Sequence, residues 1–112
     1  MSQNRPDLIK RFIGVASNII AHKVLIKAEL EEDLRNYYAK EIERDIDIAL
    51  KYRNSINPAN RLLPRRDSKE IRDSILLKVK AELLKRMNKG YNVDLSKIDE
   101  EIDNFLKEQN VS

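Results

Sequence analysis

Apolar residues recur three or four positions apart along most of this chain, and that spacing constrains its fold more than any other feature. A helix repeats about every 3.6 residues, so such positions share one face, whereas a half-buried strand alternates every second residue. Two runs of this kind precede residue 54 and two follow residue 66. The four runs predict amphipathic helices that bury their apolar faces together.

The runs extend from Ile9 to Val24, Leu30 to Leu50, Ile71 to Met87 and Ile98 to Leu106. Only two glycines and three prolines are present, which is too few for the turns of an all-β sandwich or barrel. The expected fold class is therefore all-α: a small helical bundle of three to four amphipathic helices.

The junction between helices 1 and 2 carries no stop signal. No Pro, Gly, Asn or Asp lies between Ala21 and Glu29. Helices 1 and 2 are therefore either continuous, in one helix about 70 Å long, or broken near Lys23 to Lys27, which we favour. A continuous helix has to bury its stripe against a second copy, so this junction bears on a homodimer.

Turn-forming residues concentrate between Asn54 and Arg66. They predict one loop, 54–66, between helical halves 7–53 and 67–109 of a single helical domain, 1–112.

The ends of the later helices carry clear signals. Asp67 is expected to cap helix 3, with Glu70 three residues later as in a capping box, and Gly90 is expected to end it. Helix 4 is expected to be capped by Asp94 or Ser96 and to fray from Asn110.

The charges are segregated along the chain. The total is 22 Lys and Arg against 19 Asp and Glu, a net +3, yet residues 51–72 alone hold seven basic and two acidic side chains. Guanidinium groups on an exposed loop suit phosphate, and a helix N-terminus adds to the attraction. We predict phosphate contacts from the basic side chains of this segment: Arg53, Arg61, Arg65, Arg66, Lys69 and Arg72.

A structural interpretation of these charges stays open beside the functional one. Asp67 and Glu70 lie at the same helix end and could satisfy the arginines internally. Basic helix 1 beside acidic helix 2, and basic helix 3 beside acidic helix 4, would place opposite charges along the seams of the bundle. Exposed pairs of this kind are worth about 0 to 1 kcal/mol each, so they select an arrangement more than they stabilise it.

The residues that ordinary catalysis requires are scarce. The chain has no cysteine and one histidine, His22, which lacks a neighbouring metal-ligand motif. Asp45 and Asp47 point about 200° apart on a helix, so one ion could not take both. We therefore expect no metal site, no cofactor and no enzymatic activity.

No apolar stretch approaches the length of a membrane span, and the first ten residues lack the apolar core of a signal peptide. The expected protein is soluble and cytoplasmic, without a membrane partner.

Two functions follow as hypotheses. The first is a small nucleic-acid-binding or nucleic-acid-associated accessory protein that uses the basic loop and helix junction on phosphates; a loop of about a dozen residues is too long for a helix-turn-helix. The alternative is a non-catalytic interaction or assembly subunit, including a homodimer. It rests on apolar residues outside the narrow stripes: Leu25, Ile26, Ile48 and Leu76.

Overall fold

A computed structural model of the chain describes residues 5–28, 31–57, 62–109 and 111. These ranges contain the helices α1 (Arg5–Ile26), α2 (Glu32–Ile56), α3 (Arg65–Asn88) and α4 (Ile98–Glu108), with a short 3-10 turn at Leu95–Lys97 before α4. No strand occurs in the described residues. The predicted all-α bundle is confirmed.

Helix α1 occupies the centre of the bundle. Eleven of its 22 residues are buried, and it contacts each of the other three α-helices. Phe12 lies fully buried and its ring stacks on Phe105 of α4, with the ring centroids 6.1 Å apart. The buried residues of α1 therefore form a broad apolar surface rather than a narrow stripe, and the other helices cover it.

Helices α1 and α2 are separate. The last turn of α1 closes with the Lys27 and Ala28 amides donating to Val24 and Leu25, and α2 begins at Glu32. The favoured break is thus confirmed, a few residues later than predicted, and the 70 Å helix is excluded. The short connection makes α1 and α2 antiparallel neighbours, with the His22 ring 4.8 Å from that of Tyr38.

The connection between α2 and α3 is shorter than the predicted loop 54–66. Helix α2 continues through Ile56, and α3 begins at Arg65. The Ser55 hydroxyl donates to the Lys51 carbonyl 2.9 Å away, so this turn-forming side chain is satisfied inside a helix. Of the loop, residues 58–61 lie outside the described residues.

The predicted capping box of α3 is wrong, whereas the predicted stop is confirmed. Helix α3 begins two residues before Asp67, whose buried carboxylate accepts a hydrogen bond from Arg5 of α1. At the other end Gly90 has a φ of 98°, and the amides of Gly90 and Tyr91 donate to the Met87 and Arg86 carbonyls. This pair of bonds is a Schellman motif, which requires a left-handed residue.

The last residues pack against the bundle. Asp94 caps the 3-10 turn, accepting from the Ser96 amide at 3.0 Å. Val111 is buried, and its amide donates to the Leu106 carbonyl at 2.8 Å. The expected fraying from Asn110 is therefore wrong for Val111, while residues 110 and 112 lie outside the described residues.

Four apolar residues expected on the buried stripes are exposed: Leu34, Leu50, Leu84 and Met87. A stripe that advances in steps of four turns about 40° around the helix with each step, because four residues exceed one turn. Members at either end of such a stripe therefore leave the face that α1 covers. No described helix is long and apolar enough to cross a membrane.

Candidate nucleic-acid interface

Three of the predicted phosphate contacts lie together at the start of α3. Arg65, Arg66 and Lys69 are exposed, and their side chains form no hydrogen bond or ion pair to any described residue. They occupy the first five positions of the helix, where unpaired amides and the helix dipole favour anions. We call these three residues the basic patch.

Arg53 is not part of that patch, and its expected exposure is wrong. Its side chain is fully buried; Nε donates to the Gln109 carbonyl at 2.9 Å and Nη1 to Asn57 Oδ1 at 2.5 Å. Burial lowers the pKa of the guanidinium. Arg53 therefore ties the end of α2 to the end of α4 and cannot meet a phosphate in this fold.

Arg72 is also engaged internally. Its Nε donates to Asp103 at 2.9 Å, and one terminal nitrogen lies 3.3 Å from Asp99, both on α4. The hydrogen bond to Asp103 raises the pKa of Arg72. The prediction that opposite charges face each other along the seam between α3 and α4 is confirmed at this residue. Because Arg72 is paired with acids of α4, we no longer expect it to contact phosphate.

The sixth predicted contact, Arg61, lies outside the described residues. The six predicted cations thus divide into three that form the basic patch, two that hold the bundle together, and one whose position the structure does not describe.

Helix α1 brings further cations to the same end of the molecule. Arg5 and Arg66 line one cleft of about 440 Å³. Lys10 and Arg11 are exposed on the following turns of α1, and both line a second cleft with Lys78 of α3. These α1 residues were not among the predicted phosphate contacts, although the predicted basic character of helix 1 was a usable signal.

The direction of the helices explains this convergence. Arg5 pairs with Asp67 near the start of both helices, and further along Gly14 and Lys78 line a common cleft. Helices α1 and α3 therefore run in the same direction with their N-termini at one end. The positive ends of two helix dipoles lie beside the basic patch.

Acidic groups reduce the excess of positive charge here without removing it. The Asp67 carboxylate is already paired with Arg5. Asp7, Glu70 and Asp73 are exposed at the same end. Beside these four acids, helices α1 and α3 carry six basic side chains: Arg5, Lys10, Arg11, Arg65, Arg66 and Lys69.

Such a surface can attract a polyanion. Within the described ranges, no group of three or more His, Cys, Asp or Glu side chains could hold a metal ion. The single histidine, His22, lies between α1 and α2, where its ring packs against Tyr38. The chemistry that this end of the molecule offers is electrostatic contact with phosphate or carboxylate.

Comparison with known proteins gives no family assignment: no family model, no curated protein and no solved structure matches this chain.

Proposed function

We propose that this protein binds nucleic acid through the phosphate backbone, using the basic patch and the neighbouring cations of α1. The observation that carries the proposal is that Arg65, Arg66 and Lys69 are exposed and make no ion pair to any described residue. An arginine of α3 that stabilises the fold, such as Arg72, is already engaged with acids. Cations without an internal partner at one end of a bundle are suited to an anionic partner from outside.

The expected mode of binding is independent of sequence. The connection from Ile56 to Arg65 is too long for the turn of a helix-turn-helix. The cations of the basic patch surround the start of α3, a place suited to phosphate oxygens rather than to base edges. Affinity should therefore fall steeply with salt and differ little between sequences.

The test is a salt titration of binding to duplex and single-stranded DNA and RNA of mixed sequence. The variant replaces the basic patch: Arg65→Gln, Arg66→Gln and Lys69→Gln. We expect weaker binding and a slope of log affinity against log salt that is shallower by about 1 for each cation that no longer meets a phosphate. The measurement is fluorescence anisotropy at several salt concentrations.

The matched control removes the same charge elsewhere, with Lys51→Gln, Lys97→Gln and Lys107→Gln, all of which are exposed. The control should retain most of the affinity. The proposal is overturned if the unmodified protein binds none of the four nucleic acids at low salt, or if both triple variants lose affinity equally, since the second result would reflect net charge alone.

A further inference from the structure

Helices α1, α3 and α4 form a unit in which each helix contacts both of the others. The Phe12 ring of α1 stacks on Phe105 of α4, and four apolar side chains of α3 are fully buried. An ion pair also bridges each two of these helices: Arg5 to Asp67, Arg72 to Asp103, and Lys27, just after α1, to Glu101. The ion pairs and the ring stack do not involve α2, so we call α1, α3 and α4 the three-helix core.

Helix α2 is attached to the three-helix core less firmly. It packs mainly on α1, and of its apolar side chains Tyr38 and Ala49 are buried. Its other apolar contacts with the interior come from half-buried side chains: Ile42, Ile46, Tyr52 and Ile56. The ion pairs of Arg44 join it to Glu41 and Asp45 of the same helix. Because apolar burial is the main stabilising contribution, α2 should be the first of the four helices to separate from the others.

The start of α2 depends on a contact with a titratable side chain. Residues 32–37 are all exposed, and the first buried residue is Tyr38, whose ring centroid lies 4.8 Å from that of His22. The Nδ1 atom of His22 is enclosed and has no hydrogen-bond partner among the described residues. A proton added to this ring would place a charge in a site that gives Nδ1 no acceptor.

The charged groups around His22 do not compensate for that burial. Asp45 and Glu41 of α2 raise its pKa, as does Glu82 of α3, whereas Arg86 of α3 lowers it; desolvation outweighs them, and the pKa lies below 6.5. Both carboxylates of α2 are already paired within α2, and Glu82 is paired with Arg86. Separation of α2 returns the ring to water, so the open form takes up the proton first as the pH falls, and protonation favours opening.

We infer that α2 is a detachable arm, which leaves the three-helix core while α1, α3 and α4 stay packed, and that protonation of His22 promotes its release. A released α2 loses its helical structure, because an isolated helix is marginal in water. The side of α1 that α2 covers is then exposed to solvent. The basic patch lies on α3, so the inference does not depend on the nucleic-acid proposal.

The first experiment is hydrogen exchange of the full chain, measured by mass spectrometry at about pH 7.5. The slowest amides of α2 should exchange at least about tenfold faster than the slowest amides of α1 and α3, because they exchange from a partly open form that is more populated than the unfolded chain. Equal rates for the slowest amides of all three helices would show that the bundle opens as one unit and would overturn the inference.

The second experiment weakens the three-helix core alone. Val79 is fully buried on α3, so Val79→Ala should speed the slowest amides of α1 and α3 about tenfold. The exchange of α2 should stay unchanged, because Val79 is packed both in the closed form and in the form with α2 released. The matched control is Leu77→Ala on the same helix, where the side chain is 71% exposed, and it should alter neither rate. An equal acceleration of α2 by Val79→Ala contradicts an independent arm.

The third experiment tests the control by His22. Exchange rates of α2, divided by the intrinsic rates of its amides, give the population of the open form, which should rise by up to about tenfold per unit as the pH falls below about 6.5. In His22→Asn this rise should be absent while α2 still opens before the rest. The same rise in both proteins would show that other groups control the release, and the assignment to His22 would be wrong.

Discussion

Helices α1 and α2 are neighbours of similar length with very different surroundings. Helix α1 buries eleven of 22 residues, whereas α2 buries four of 25, and two of those four are the charged Asp45 and Arg53. The difference shows that amphipathic spacing alone does not fix how much of a helix is covered. Helix α1 is stabilised by apolar packing on several sides, and α2 depends on one neighbour and on polar contacts near its end.

The largest expected effect is the loss of a core side chain from α1. Ile20 is fully buried, so Ile20→Ala should lower the free energy of unfolding by about 2 to 5 kcal/mol through reduced apolar burial and a residual cavity. Leu34→Ala in α2, where the side chain is 38% exposed, should cost about 1 kcal/mol or less. Urea denaturation of both variants measures the contrast. Equal costs would contradict the distinction between the two helices.

A smaller but clear effect is expected at the buried charge of α2. Arg53→Ala removes hydrogen bonds to the Gln109 carbonyl and to Asn57, and should lower the free energy of unfolding by about 2 to 3 kcal/mol, because bonds from a charged donor exceed neutral ones. Lys51→Ala, on an exposed part of the same helix, should stay within about 0.5 kcal/mol of the unmodified protein. A cost for Arg53→Ala no greater than that of the control would show that the buried guanidinium is dispensable.

The smallest expected effect is a pH dependence at the seam between α1 and α2. Burial lowers the pKa of His22 from 6.5, more than Asp45 and Glu41 raise it; Arg86 lowers it further and Glu82 raises it. The unfolded chain therefore takes up the proton first as the pH falls, so stability should decline below about pH 6.5. The loss is complete once the pH is below the lowered folded pKa.

This dependence is measured as the urea midpoint between about pH 7.5 and pH 5, for the unmodified chain and for His22→Asn. The variant lacks the titrating group and should show a flatter profile in that range. Identical slopes for the two proteins would assign the pH dependence to the carboxylates instead.

Two local signals in the sequence predict helix ends correctly, because their physical causes are local. Gly90 ends α3 since a Schellman motif needs a left-handed residue at that position. Asp94 caps the turn before α4 with its own side chain. In both cases the partner atoms lie within a few residues, so the pattern alone identifies them.

Whether each basic side chain is exposed or bonded within the fold could not be predicted in the same way. Arg72 meets acids 27 and 31 residues away, and Arg53 meets a carbonyl 56 residues away. Which arginine forms hydrogen bonds within the fold depends on how the helices are arranged. The pattern of residues along the sequence does not specify that arrangement. The same reason hides the contribution of Lys10 and Arg11, which lie near the same end of the molecule because α1 and α3 both start there.

The bond from Arg53 to the Gln109 carbonyl also constrains the order in which the chain can fold. The guanidinium is enclosed only when residues near 109 are in place, so during synthesis α1 and α2 can pair while Arg53 still faces water. Completion of the bundle must wait until this late segment has emerged from the ribosome. Shortening the chain before residue 109 should therefore loosen the end of α2, half the sequence away from the cut.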